Sequence, residues 1–128
     1  MTYTIMFVDD SDTIRAVLER TLAMTKLPID EVIGACNGKD ALEKLSQKWV
    51  DIVFTDINMP EMDGIMLFDA MAAHPEYKDI PVVIISTEGS KTRIAELMKK
   101  GVKGYLRKPF TPEHVRDIIV QTLGDWHG

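Results

Sequence analysis

A chain of 128 residues has room for one domain with a real core and little for a second module. With 45% hydrophobic and 27% charged residues it has the profile of a globular protein, not a disordered or fibrous one. The net charge of −5 argues against broad nucleic-acid binding, and the longest apolar runs are too short to cross a bilayer.

The N-terminus, Met1 to Thr4, lacks the basic and long apolar regions of a secretory leader. Residues 1–128 are therefore expected to form one soluble, cytoplasmic domain. Ile5-Met6-Phe7-Val8 is continuous and apolar, as a strand reads when both its faces are covered. Ile14, Val17, Leu18, Thr21 and Leu22 then share one helical face. A weaker strand is predicted at Glu31 to Cys36. The single Cys36 can form no internal disulfide and is expected to be a small buried residue. Asn37 suits the N-cap of a helix carrying Ala41, Leu42 and Leu45.

Ile52-Val53-Phe54 predicts the third strand, followed by a helix with Ile65, Phe68, Met71 and Ala72. Val82 to Ile85 predicts the fourth, with Ser90 as N-cap of a helix bearing Ile94, Leu97 and Met98 and Gly101 as its C-cap. Gly104 to Arg107 is a weaker fifth strand. Thr111 and Pro112 suit the start of a last helix whose face carries Val115, Ile118, Ile119, Thr122 and Leu123. Five β-α units with short connections predict a single doubly wound α/β domain, a parallel sheet flanked by five helices. Such folds bind ligands beyond the carboxyl ends of their strands.

The residues at those ends are Asp9 and Asp10, Asp56, Ser86 and Lys108. Three clustered carboxylates repel unless a cation or proton joins them, and hard oxygen ligands suit Mg2+. No Cys/His cluster has zinc spacing. A carboxylate can attack phosphorus to give an aspartyl phosphate, with Lys108 and the Ser86 hydroxyl stabilising the phosphoryl oxygens. Taken singly, each residue has a simpler role as turn, cap or solvated charge. Their placement at one sheet edge makes the case.

Phe7-Val8-Asp9-Asp10-Ser11, the run Phe54 to Gly64 (FTDINMPEMDG), Ile84-Ile85-Ser86 and Lys108-Pro109-Phe110 resemble the receiver domain of bacterial two-component response regulators. The resemblance spans essentially the whole chain. It implies strand order 2-1-3-4-5 and Asp56 as phosphoacceptor. Asp10 and Asp56 would ligate Mg2+ directly, Asp9 through water, and Asn58 through its backbone carbonyl. Lys108 would contact the phosphoryl group, and the Lys108–Pro109 bond would be cis. Ser86 and Tyr105 would form the switch pair that reports the state to the surface of the fourth helix, fifth strand and fifth helix.

Closer detail, the Ser11-Asp12-Thr13-Ile14-Arg15 opening with Asn58 and Glu88, resembles the CheY-type chemotaxis regulators. Asn58 and Glu88 would tune the phosphoryl lifetime. Ile57 departs from that type, which carries Trp there, so the indoles Trp49 and Trp126 need not report phosphorylation. The implied partners are a cognate histidine kinase and a target such as a flagellar motor switch component or a phosphotransfer protein. Direct nucleic-acid binding, membrane insertion and classical enzyme turnover are not expected, and a monomer is.

Two other classes fit the sequence less well. An Asp-nucleophile Mg2+-dependent phosphatase usually carries a second Asp two residues after the first, where this chain has Asn58. A DNA-binding regulator would need more chain after Thr122. Met24, Met66, Met71 and Met98 are expected to be mostly core filler. His74, His114 and His127 lack metal spacing and are expected at the surface, and Lys99, Lys100 and Lys103 read as a solvated helix end.

Overall fold

The computed structural model describes residues 2–57, 59, 61–87 and 91–123. The Ser90 cap, Trp126 and His127 lie outside them. The elements run β1 (Tyr3–Val8), α1 (Asp12–Met24), β2 (Ile29–Ala35), α2 (Gly38–Leu45), β3 (Ile52–Asp56), α3 (Gly64–Ala72), β4 (Val82–Ser86), α4 (Lys91–Lys100), β5 (Gly104–Arg107) and α5 (Pro112–Leu123). All neighbouring strands pair in parallel, in the order β2-β1-β3-β4-β5.

The pleat sorts the apolar runs into two cores, because successive side chains point to opposite faces. Ile5, Phe7, Ile52, Phe54, Val83 and Ile85 face α1 and α5, where Leu18, Leu22, Val115 and Ile119 cover them. Met6, Val8, Val53, Val82 and Ile84 face Leu45, Leu67, Phe68 and Leu97 on the other side. Continuous apolar strands are thus what a sheet covered on both faces requires. Among the described residues no helix is long and apolar enough to cross a membrane.

Helix ends are fixed by side chains. Ser11 Oγ accepts the Ile14 N–H at 3.2 Å, Asn37 Oδ1 the Asp40 N–H at 2.9 Å, and Asp63 Oδ1 the Met66 N–H at 2.8 Å. Thr111 Oγ1 accepts the His114 N–H at 3.2 Å, and Gly101, with φ +116°, closes α4 in a conformation other residues rarely adopt.

Several expectations need correction. β2 begins at Ile29 and ends at Ala35, one residue before Cys36. Cys36 is exposed, not buried. Its N–H is drawn 3.0 Å from Asp40 Oδ2 in the cap of α2, which takes the residue out of the sheet. Burial opposes ionisation of Asp40, yet this N–H and the Lys44 ammonium hold its carboxyl below the usual range. Val17 is exposed at the edge of the α1 stripe. Of the four methionines, only Met71 is core; Met24, Met66 and Met98 are 62%, 49% and 46% exposed. Each helix buries only one stripe, and these three lie off it. His74 is half-buried rather than at the surface, stacked on Tyr77 with ring centroids 4.0 Å apart.

Urea denaturation checks this division. Met71→Ala is expected to lose ~2–5 kcal/mol, whereas Met24→Ala stays within about 0.5 kcal/mol of the parent.

Candidate functional site

Register, more than local loop chemistry, assembles the site. Phe7 pairs with Phe54 and Val8 with Thr55, so Asp9 is carried alongside Asp56 one step further on. Asp9 continues the Ile5–Phe7 row, Asp56 the Ile52–Phe54 row, and Lys108 the row of Leu106, all on the α1–α5 face. Asp56 and Ser86 are the last residues of their strands, not the first after them.

One oxygen each of Asp9, Asp10 and Asp56 lies within 4.8 Å of the others. Asp9 is buried, Asp56 half-buried and Asp10 exposed, so the cluster opens to solvent on one side. Lys108 Nζ is 3.5 Å from Asp9 Oδ2 and 3.9 Å from Asp56 Oδ2. Asp9 Oδ1 accepts the Ser11 N–H and Asp56 Oδ1 the Ile57 N–H, each at 2.9 Å. Among the described residues, one ammonium, that of Lys108, pairs with two of the three carboxylates. Burial pushes the Asp56 carboxyl above the ordinary Asp range; Lys108 and the Ile57 N–H oppose that shift, while Asp9 and Asp10 add to it. Such a site gains from any cation that replaces the missing charge, and its all-oxygen donors suit a hard divalent ion.

Ser86 and Tyr105 occupy the opposite face. Ser86 is 4% exposed, and its carbonyl accepts the Lys108 N–H at 2.9 Å and the Tyr105 hydroxyl at 3.4 Å. Tyr105 is half-buried against the α2–α4 core. The Lys108–Pro109 bond is cis, as the resemblance implied. Asn58 and Glu88 lie outside the described residues.

Two contributors escaped the sequence reading. The Arg15 guanidinium donates to the Asp9 carbonyl and pairs with Asp12, pinning the main chain that carries the acidic pair. A Cβ on Gly64 would lie 2.1 Å from the Asp56 carbonyl oxygen, and the Gly64 N–H donates to Ile57 O at 2.9 Å. An Arg four residues after a capping Ser and an Asp-Gly pair before an apolar helix were the available signals.

An acidic trio and a lysine at the carboxyl ends of a 2-1-3-4-5 parallel sheet make up a receiver-type arrangement. The model of the response regulator receiver domain matches residues 5–120, and the chain belongs to that family. It is 37% identical over 125 residues to the chemotaxis protein CheY homolog of Campylobacter jejuni, covering 97% of this chain and 95% of that protein. It is 39% identical over 120 residues to the two-component response regulator ORR3 of Oryza sativa, covering 93% and 89%. The structure of Vibrio cholerae chemotaxis protein CheY4 superposes with a TM-score of 0.84 at 31% identity, covering 95% of this chain and 99% of that one.

The raised Asp56 carboxyl has a thermodynamic sign. The folded state binds this proton more tightly than the unfolded chain, so the contribution favours folding below the ordinary Asp range. It is lost as pH rises through the elevated folded value. At neutral pH without metal, Asp56→Asn is expected to stabilise the fold by roughly 1 kcal/mol, about 3–5 °C in Tm. Calorimetry should show this gain shrinking as pH falls through the carboxylate range.

Proposed function

We propose that residues 1–128 act as a single receiver in which Asp56 accepts a phosphoryl group from a phosphohistidine of a cognate histidine kinase. A carboxylate oxygen of Asp56 forms the new O–P bond while the donor N–P bond breaks and its electron pair returns to the imidazole. The observation that carries this reading is the acidic trio with the Lys108 ammonium against it. Asp9, Asp10 and Asp56 would hold Mg2+, with the Asn58 carbonyl completing the set. Bound there, Mg2+ would neutralise charge on the phosphoryl oxygens. Lys108 needs only a small movement to leave Asp56 Oδ2 for a phosphoryl oxygen.

The Ser86 hydroxyl and Tyr105 supply the readout. Once Ser86 turns to the phosphoryl group, its strand and the Tyr105 hydroxyl on its carbonyl move together. The output is a difference in partner affinity between two conformations. Likeness to the chemotaxis proteins of Campylobacter jejuni and Vibrio cholerae favours a cytoplasmic regulator whose target is a flagellar motor switch component. The rice response regulator, similar at 39% identity, favours the second reading, a relay or kinase-feedback receiver whose partner is a phosphotransfer protein. Asn58 and Glu88 would set the phosphoryl lifetime in either case.

Intact-protein mass after incubation with acetyl phosphate tests the acceptor. One phosphoryl adduct is expected with Mg2+, and none without Mg2+ or in Asp56→Asn. An adduct of equal yield in Asp56→Asn would remove Asp56 from this role. Lys108→Ala should cut the rate of adduct formation by ~10–1000-fold while leaving the protein folded.

A further inference from the structure

The loop of residues 61–64, which leads into α3, is held from two sides, and one holder belongs to neither β3 nor α3. At one end Gly64 sits against the Asp56 carbonyl. At the other, the Gly38 N–H, at the start of α2, donates to Met62 O at 3.1 Å. Asn37 Nδ2 donates to Glu61 Oε2 at 3.2 Å, and Glu61 adopts φ +65°, the left-handed region where a non-glycine residue carries strain. The Met62 side chain lies over Gly38 so closely that a Cβ there would meet Met62 Cγ, Sδ and Cβ at 2.4, 2.7 and 2.9 Å. Met62 in turn packs on the α2–α4 core.

A strained loop persists only where its surroundings over-determine it. Here the surroundings are two residues of α2. The Asn37 amide is used twice over: its oxygen caps the helix at Asp40 and its nitrogen holds Glu61. Because Asn37 and Gly38 are fixed to α2, the residues that abut Asp56 through Gly64 are referred to a neighbouring helix.

We propose that Asn37 and Gly38 are positioning residues for the acceptor site: the α2 N-terminus acts as a latch that sets residues 61–64, and through the Gly64 contact with the Asp56 carbonyl the cation-binding geometry at Asp56. The absent side chain of Gly38 is the working part, since any larger residue displaces Met62 and with it the loop. This rests on the acceptor reading given above, in which Asp56 contributes to cation binding.

The test compares wild type, Gly38→Ala, Met62→Ala, the double variant and Glu43→Gly on the full chain. Glu43 is exposed in the middle of α2, so Glu43→Gly weakens the helix without touching the latch. Mg2+ affinity is read by calorimetric titration, and loop opening by amide exchange at Ile57 and Gly64. Gly38→Ala is expected to bind Mg2+ ~10-fold more weakly, in the range typical of lost outer-shell support. Its Gly64 amide should also exchange faster. Met62→Ala removes the two shortest contacts and leaves only the 2.9 Å approach of its Cβ, so the double variant should recover part of both losses, as coupled neighbours require. Wild-type Mg2+ affinity and exchange in Gly38→Ala, or losses of equal size in Glu43→Gly, would overturn the latch. Wild-type protein that binds no Mg2+ would instead overturn the acceptor reading, and the exchange data would still decide the latch.

Discussion

Asp9 and Asp56 are forced together by the register of a parallel sheet, with Asp10 beside them, and the charge balance of the site follows from their repulsion. Asp9 and Asp56 cannot separate without breaking the pairing of Phe7 with Phe54 and Val8 with Thr55, which lies in the buried centre of the fold. Lys108 offsets part of the repulsion and leaves the rest. The folding energy of two hydrophobic cores thus maintains a charge arrangement that would not assemble alone. A divalent cation held there would relieve that disfavour.

The pleat divides labour between the two faces. The row that ends in Asp9, Asp56 and Lys108 belongs to the α1–α5 side, while Ser86 and Tyr105 belong to the side covered by α2, α3 and α4. The Ser86 carbonyl joins them, since it accepts both the Lys108 N–H and the Tyr105 hydroxyl. An event at the charged row therefore has a short hydrogen-bonded route to the opposite face and to the surface beyond β5.

The strand cores were legible because a two-faced parallel strand leaves an unbroken apolar run, and the acidic residues because they end those runs. Order 2-1-3-4-5 and the cis bond at Pro109 needed family resemblance, since neither periodicity nor composition encodes them. What stayed hidden was relational. Cys36 was misjudged because its exposure depends on a hydrogen bond to Asp40 in the next element. The methionines were misjudged because an amphipathic pattern locates a stripe only to within a residue or so, enough to place Met71 and misplace Met24. Gly38 packs on Met62, distant in sequence, and no local pattern names that partner, whereas Arg15 reaches only Asp9 and Asp12 nearby.

The most direct test of the central claim is a site-specific 13C titration of the Asp56 carboxyl carbon, in metal-free protein and again with saturating Mg2+. The account predicts a midpoint above the ordinary Asp range without metal and a clear fall when Mg2+ is present. A metal-free midpoint at or below that range, unmoved by Mg2+, would contradict it: the three carboxylates would then not be in electrostatic conflict, and the site would have no disfavour for a cation to relieve.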